Sequence, residues 1–248
     1  MKRIMLTVAY DGTNYHGWQI QPNAVTVEEV INNTLTDLLK ESITVIGASR
    51  TDSGVHALGN VAVFDTDTKI PGDKIAYSLN QRLLSDIVIR GSREVPLDFH
   101  PRYCNSIKTY QYKILNSKFP LPTERLYSHF AYYPLDVEAM ARGAEYLIGE
   151  HDFKSFCSTK TQVVDTIRKI YDLDVSKNED MITITISGNG FLYNMVRIIS
   201  GTLIKVGLGY YPPTRVAEIL EKKDRGVAGP TAPAVGLTLK KIEYPDLV

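Results

Sequence analysis

One short stretch of the chain places chemically useful side chains between glycines. Arg50, Asp52 and His56 fall within residues 47–59, which directly follow an apolar β-type run at 43–46. Glycine allows a tight turn and lets a ligand approach the backbone closely. A carboxylate beside a guanidinium, on a loop that leaves a strand, suits an active site. On spacing alone, a surface turn with one ion pair is the alternative.

The residues from Arg50 to Ala57 read Arg-Thr-Asp-Ser-Gly-Val-His-Ala. This string resembles the signature of the tRNA pseudouridine synthase A family, in which only the fourth position varies. The resemblance implies that Asp52 is the catalytic nucleophile. A carboxylate can attack an electrophilic carbon when it is ionised, and a nearby cation favours that ionised form.

Two other segments resemble motifs of the same family. Residues 190–197 resemble its F-L-x-x-M-V-R motif, whose arginine, here Arg197, pairs with the catalytic aspartate. A lone arginine on an apolar helix would otherwise extend its stem along the surface. Tyr110 stands where the family has a tyrosine that contacts the target uracil, and Tyr112 shares its face of a predicted strand. We expect Tyr110 to stack on the base and Tyr112 to support the core.

The resemblance covers nearly the whole chain, residues 10–239. Residues 10–19 resemble the family's Y-D-G-x-x-Y-x-G-W-Q run and are expected to support the site. Residues 236–239 resemble its closing G-L-x-L motif, so Leu237 is expected to line the uracil pocket. Arg50 is expected to help extrude the nucleotide or to hold a phosphate.

Further positions extend the comparison with the family. His100 and Arg102 fit the family's pattern as candidate phosphate contacts, whereas His56 is expected to be structural. Ser49 replaces a glycine that is frequent in the family, and Asn60 replaces the usual glutamine. Neither departure falls on a residue to which the resemblance assigns chemistry.

Charge and cysteine content restrict the class of protein to which the chain can belong. The chain of 248 residues has 28 basic and 28 acidic residues, of which 13 each lie in 1–124. Nucleic-acid binding normally brings a basic bias, so an RNA surface here requires spatial segregation of charges. Cys104 and Cys157 are too few for a metal or disulfide framework, which favours a reducing cytoplasm. We expect no membrane span and no signal peptide, because no apolar run is long enough and the N-terminus lacks the pattern.

Hydrophobic periodicity predicts alternating helices and strands. A capping-box spacing predicts that a helix begins after Thr26. The predicted elements of the first half are strands at 3–10, 43–48, 60–66 and 87–93, with a second helix at 72–84. Those of the second half are strands at 107–115, 168–176, 181–187 and 236–242, and helices at 136–148, 191–206 and just before 223.

This order predicts an α+β protein of two similar halves, 1–104 with the Asp52 loop and 105–248 completing the site. The family resemblance implies that the halves are ferredoxin-like and form a continuous mixed or antiparallel sheet with a central RNA-binding cleft. It also implies an isomerase that converts uridine to pseudouridine at tRNA positions 38, 39 and 40 in the anticodon stem-loop. No cofactor or metal is expected, and the expected partners are tRNA and a second copy of the chain.

Two alternatives stay open at this point. One is a related pseudouridine synthase that acts on another RNA, such as ribosomal RNA. The other is an RNA-binding module without catalysis, in which the loop at Asp52 grips phosphate.

Overall fold

The computed structural model of the protein describes residues 1–159 and 164–247. The chain forms two compact units. The first consists of Met1–Asn105 together with Thr238–Val248, and the second is Ser106–Leu237. The C-terminal segment thus returns to the first unit. The sequence-based division into 1–104 and 105–248 contains no such return, and it stays a prediction.

The first unit is built on a mixed sheet. Strand β1 (Lys2–Tyr10) pairs antiparallel with β3 (His56–Thr66) on one side and with β4 (Ile87–Val95) on the other. Strand β3 also pairs antiparallel with the short β2 (Ile46–Gly47) and parallel with β10 (Leu237–Glu243). The predicted strand at 43–48 is therefore longer than the observed β2, which has only two residues.

Two helices accompany this sheet. Helix α1 (Val27–Leu39) begins as predicted, because the Thr26 hydroxyl accepts the Glu29 N–H at 3.4 Å and caps the first turn. Helix α2 (Ile75–Asn80) is shorter than the predicted helix at 72–84. The first predicted turn there, Gly72–Lys74, is a 3₁₀ turn, which closes with a tighter hydrogen-bond spacing than an α-helix.

The second unit holds the strands of residues 107–188. Its strands lie in the order β5 (Ile107–Asn116), β9 (Met181–Gly188), β8 (Ile167–Asn178) and β7 (Gly149–Asp152), all antiparallel to their neighbours. Strand β6 (His129–Ala131) pairs parallel with β5. Every second residue of β9 is buried, so one face of this sheet is a core face.

Helices α3 (Val137–Glu145), α4 (Met195–Gly207) and α5 (Arg215–Lys222) belong to this unit. Helix α3 packs on β8 and α4, and α4 packs on β5. The predicted start of α4 at Phe191 is wrong. Asn194 has φ of 60°, in the left-handed region, so the residues before it cannot continue a right-handed helix.

Strands, helices and mixed pairing within the described residues confirm the predicted α+β class. No helix in the described ranges is long and apolar enough to cross a bilayer.

An ion pair inside the first unit predicts acid-sensitive stability. Arg3 on β1 lies opposite Asp65 on β3, and its Nε donates to the carboxylate at 2.7 Å. This hydrogen bond lowers the pKa of Asp65. The resulting stabilisation is therefore complete above the unfolded-state pKa of about 3.9 and is lost as the pH falls through the lower folded-state value.

We expect Asp65→Asn to cost under about 1 kcal/mol of unfolding free energy at pH 6, because the pair is partly exposed. The difference from the wild type should shrink progressively as the pH falls below the unfolded-state pKa of about 3.9. Urea denaturation across this range measures it, with the exposed Asp73→Asn as the control. A difference that stays constant with pH would contradict this prediction.

Candidate active site

The loop that carries Asp52 connects β2 to β3, and burial alternates along residues 49–52. Ser49 and Thr51 are 6% and 7% exposed, whereas Arg50 is exposed and Asp52 is half-buried. Such alternation is typical of an extended segment, in which successive side chains point to opposite sides. Ser49 and Thr51 therefore face the interior of the unit, and Arg50 and Asp52 face away from it.

A buried polar network holds the two inward residues. Asn60, fully buried on β3, accepts the Ser49 N–H at 3.3 Å and the Val61 N–H at 2.9 Å. Its amide donates to the Ser49 carbonyl at 3.1 Å and to the Tyr10 hydroxyl at 3.4 Å. The Tyr10 and Thr51 hydroxyls share a hydrogen bond of 2.7 Å. A satisfied buried network of this kind fixes a backbone in one conformation.

The segment after β1 supports the same loop from another side. The Thr51 carbonyl accepts the Trp18 N–H at 3.1 Å, and the Tyr15 carbonyl accepts the Gly54 N–H at 3.3 Å. The Ser53 hydroxyl also donates to the Tyr15 carbonyl, at 3.3 Å. The supporting role that the sequence suggested for residues 10–19 is thus visible as backbone hydrogen bonds on both sides of Asp52.

Tyr15 is itself fixed at its far end. Its hydroxyl donates to the Asp86 carboxylate at 2.9 Å. Burial, followed by this hydrogen bond, raises the pKa of Tyr15 to about 12. The phenol therefore remains a donor throughout the neutral range, and the contact persists there.

A tight turn follows Asp52. The Asp52 carbonyl accepts the Val55 N–H at 3.1 Å, and Gly54 has φ of 76°. A positive φ at the third residue of a turn favours glycine. The glycine of the signature is thus explained by the chain reversal that returns the loop to β3.

His56 lies beneath the loop and is 5% exposed. Its Nδ1 accepts the Gly12 N–H at 3.1 Å and lies 3.1 Å from the Asp11 carboxylate. These contacts agree with the structural role expected from the sequence.

Two arginines beside the loop, Arg50 and Arg102, interact electrostatically. Arg102 donates through Nε to the carbonyl of Gly47 at 2.7 Å, at the end of β2. Partial burial, followed by the nearby Arg50 guanidinium, lowers the pKa of Arg102. Two neighbouring guanidinium groups repel each other, so a bound anion would stabilise both.

The second unit holds the other expected site residues. Tyr112 on β5 is fully buried and donates through its hydroxyl to the Pro233 carbonyl at 2.9 Å, and burial raises its pKa. Tyr110 is 9% exposed, and its ring meets Phe191 edge to face at 5.2 Å. Tyr112 is therefore a core residue, as expected. The edge-on contact holds the Tyr110 ring in one orientation.

Arg197 lies in the first turn of α4. Its Nε donates to the Ala232 carbonyl at 2.8 Å, and one Nη donates to the Asn194 side-chain oxygen at 2.9 Å. Asn194 in turn donates to the Ser158 hydroxyl at 2.8 Å. These contacts orient the guanidinium. Leu237 ends the second unit as the first residue of β10 and is 5% exposed.

The structure therefore places Arg50 and Asp52 on one loop of the first unit, and Tyr110, Arg197 and Leu237 in the second. The pairing of Asp52 with Arg197 joins the two units and stays a prediction. Within the described ranges, no three His, Cys, Asp or Glu side chains are grouped so as to hold a metal ion.

The network around Asn60 was not predicted from the sequence. Tyr10 and Asn60 lie on strands, where a side chain is normally expected to pack against its neighbours and not to form a hydrogen-bond network. The available signal was an amide at a strand position with apolar neighbours on both sides, because a buried amide needs hydrogen-bond partners.

Comparison with known proteins identifies relatives along the whole chain. The family model described as tRNA pseudouridine synthase matches residues 6–104 and 144–245. The tRNA pseudouridine synthase A of Thermoanaerobacter sp. (strain X514) is 53% identical over 244 residues, covering 98% of this chain and all of the relative.

Two more relatives have the same name. The protein from Ruminiclostridium cellulolyticum is 53% identical over 245 residues, and the one from Brevibacillus brevis is 48% identical over 244. Each alignment covers 98% of this chain and 100% of the relative. The family match and these full-length identities agree with the signature around Asp52, and the chain belongs to the tRNA pseudouridine synthase family.

Proposed function

We propose that this protein converts uridine to pseudouridine at positions 38, 39 and 40 in the anticodon stem-loop of tRNA, with Asp52 as the nucleophile. The observation that carries the proposal is the conformation of the Asp52 loop. Ser49 and Thr51 are buried and hydrogen-bonded, so Arg50 and Asp52 are held facing outward. Fixed placement of a reacting group supplies much of enzymatic rate enhancement.

The reaction rearranges bonds within one nucleotide. The N1–C1′ bond breaks, uracil turns, and a C5–C1′ bond forms while the C5 proton leaves and N1 gains a proton. Substrate and product are isomers, so the balance needs no redox partner or energy donor. Asp52 attacks C1′ directly, captures a glycal formed by elimination, or adds to C6, and these three routes stay open. The base that removes the C5 proton is Asp52 or Tyr110.

We assign the other residues the roles that the family resemblance implies. Arg197 holds Asp52 ionised and oriented, since a neighbouring cation favours the carboxylate. Tyr110, with its ring orientation set by Phe191, stacks on the uracil. Leu237 closes the pocket.

The target base must leave its stack to reach a carboxylate, which costs a few kcal/mol. Arg50 offsets that cost by holding the displaced nucleotide or its phosphate. The exposed Arg50 and its neighbour Arg102 give local positive charge to a chain of zero net charge.

We also propose that the protein works in the cytoplasm as a homodimer, with tRNA spanning both copies. Analytical ultracentrifugation with and without tRNA tests the dimer. A monomer at assay concentrations, in both conditions, would contradict it.

Mapping pseudouridine in total RNA from cells with and without this gene tests the proposed function. The expected result is loss of pseudouridine at tRNA positions 38–40 and nowhere else. Loss confined to ribosomal RNA would favour the related synthase acting on another RNA. No change in any RNA would favour a binding module without catalysis.

A pair of glycine variants tests whether the loop conformation matters for activity. Gly17 has φ of 88°, and a Cβ there would lie 2.6 Å from the Thr51 carbonyl oxygen. Gly209 has φ of 75°, and a Cβ there would have no atom of the described residues within 4 Å, so it shares the backbone strain without the clash. We expect Gly209→Ala to cost about 1 kcal/mol of stability and to keep full activity.

Gly17→Ala should cost more, about 2–4 kcal/mol, and should lower kcat at least tenfold at a temperature where the protein stays folded. Urea denaturation and a pseudouridine assay measure the two effects. Equal kcat values for the two variants would show that displacing Thr51 leaves catalysis unaffected.

A further inference from the structure

The segment that follows β4 crosses the surface of the first unit, yet it is firmly anchored. Phe99 is buried and meets Tyr244 edge to face at 4.9 Å. Arg3 donates to the Phe99 carbonyl at 2.8 Å, and the Tyr244 hydroxyl donates to the Pro101 carbonyl at 2.8 Å. Together with the bond from Arg102 to the Gly47 carbonyl at the end of β2, these contacts fix the backbone on both sides of His100.

Tyr103 stands on this fixed segment and is 85% exposed. Its ring stacks on the His100 imidazole, with the centroids 4.1 Å apart and the planes 20° from parallel. One face of the tyrosine is therefore supported, and the side chain otherwise faces solvent. A large exposed ring on an anchored backbone loses little conformational entropy when a flat group binds to it.

Positive charge adjoins this ring. Arg102, the residue next to Tyr103 in the chain, has a guanidinium fixed by its bond to Gly47 and lies near the exposed Arg50. Aromatic faces beside guanidinium groups are the combination that binds single-stranded RNA, because bases stack while cations contact the phosphates. A docking site for an apolar protein segment would not need the paired cations.

We propose that Tyr103, backed by His100, stacks on a nucleobase next to the target uridine, while Arg102 and Arg50 hold the intervening phosphate. This rests on the proposed function, since it assumes an RNA substrate with one nucleotide displaced toward Asp52. His100 thereby supports a ring, instead of contacting phosphate as its sequence pattern suggested. The tyrosine ring would stack on an unpaired base without hydrogen-bonding to its edge. Binding at this position would therefore depend on whether a base is accessible, and not on which base it is.

Tyrosine variants test the platform with a matched control. Tyr77 is also exposed, at 68%, lies in the same unit and has the Lys74 ammonium 5.6 Å from its ring centroid. We expect Tyr103→Leu to weaken binding of a full-length unmodified tRNA transcript about tenfold. Tyr103→Phe, which keeps the ring, and Tyr77→Leu should bind as the wild type does. At saturating tRNA, kcat of Tyr103→Leu should stay within about twofold of the wild type, because the ring contributes to binding and not to the chemical step.

The salt dependence of binding separates stacking from phosphate contact. Arg102→Gln should lower the slope of log K against log salt by about 0.7–0.9, whereas Tyr103→Leu should leave the slope unchanged. Equal affinities of Tyr103→Leu and Tyr77→Leu, with both proteins folded by circular dichroism, would overturn the platform. In that case an active wild type would leave the proposed function standing, while a wild type that forms no pseudouridine would refute the proposed function itself.

Discussion

Replacing Asp52 with asparagine is expected to abolish pseudouridine formation, with a loss of at least about 10⁴-fold in kcat. The amide has nearly the same shape but carries no negative charge and is a poor nucleophile. Because Asp52 is half-buried on a loop held by its neighbours, the variant should fold normally. Chromatography of nucleosides from digested tRNA measures the product, since substrate and product have equal mass.

Asp73→Asn is the matched control. Asp73 is an aspartate of the same unit, exposed on the turn before α2, and it should tolerate the change without loss of activity. Asp52→Asn should also bind tRNA within a few-fold of the wild type. Turnover by this variant at more than about a hundredth of the wild-type rate would refute the nucleophile assignment.

Replacing Arg197 with methionine should lower kcat about 100-fold or more, equivalent to roughly 3 kcal/mol of transition-state stabilisation. Methionine keeps the apolar stem but removes the charge proposed to hold Asp52 ionised. The bonds to Ala232 and Asn194 are lost as well, at a cost of about 1–2 kcal/mol of stability. A lysine should rescue poorly, because it lacks the planar fork of donors.

Arg225 provides a control with the same structural task. It donates to the Gly229 carbonyl at 3.0 Å and to the Thr231 hydroxyl at 3.2 Å, so it holds the same loop that Arg197 holds at Ala232. Arg225→Met should lose similar stability and keep its activity. If both variants lose activity in proportion to stability, Arg197 is a structural residue and its proposed role is wrong.

Local signals in the sequence were enough for much of the fold. Thr26 and Glu29 mark the start of α1, and the hydroxyl caps the helix as their spacing indicates. Predictions failed where a single backbone conformation decided the outcome. Asn194 in the left-handed region starts α4 four residues late, and no periodicity of apolar residues reports such a dihedral angle.

The site, like the fold, could be predicted from the sequence only in part. The signature predicts which residues belong to the loop at Asp52, whereas its conformation depends on contacts between segments far apart in the chain. Tyr10 and Thr51 are 41 residues apart, and Tyr10 and Asn60 are 50 apart. Such hydrogen bonds depend on strand register, and a shift of one residue would turn each side chain to the other face of the sheet.

The proposed mechanism requires Asp52 and Arg197 to act on the same uridine. A crystal structure of the Asp52→Asn protein bound to tRNA, together with one of the unliganded wild type, would reveal whether they do. We predict a carboxylate-to-guanidinium distance within about 4 Å in the wild type, as in an ion pair. In the complex, we predict a displaced uridine between residue 52, Tyr110 and Arg197. A separation above about 8 Å in the wild type, twice the reach of an ion pair, with no uridine against residue 52 in the complex, would contradict the mechanism.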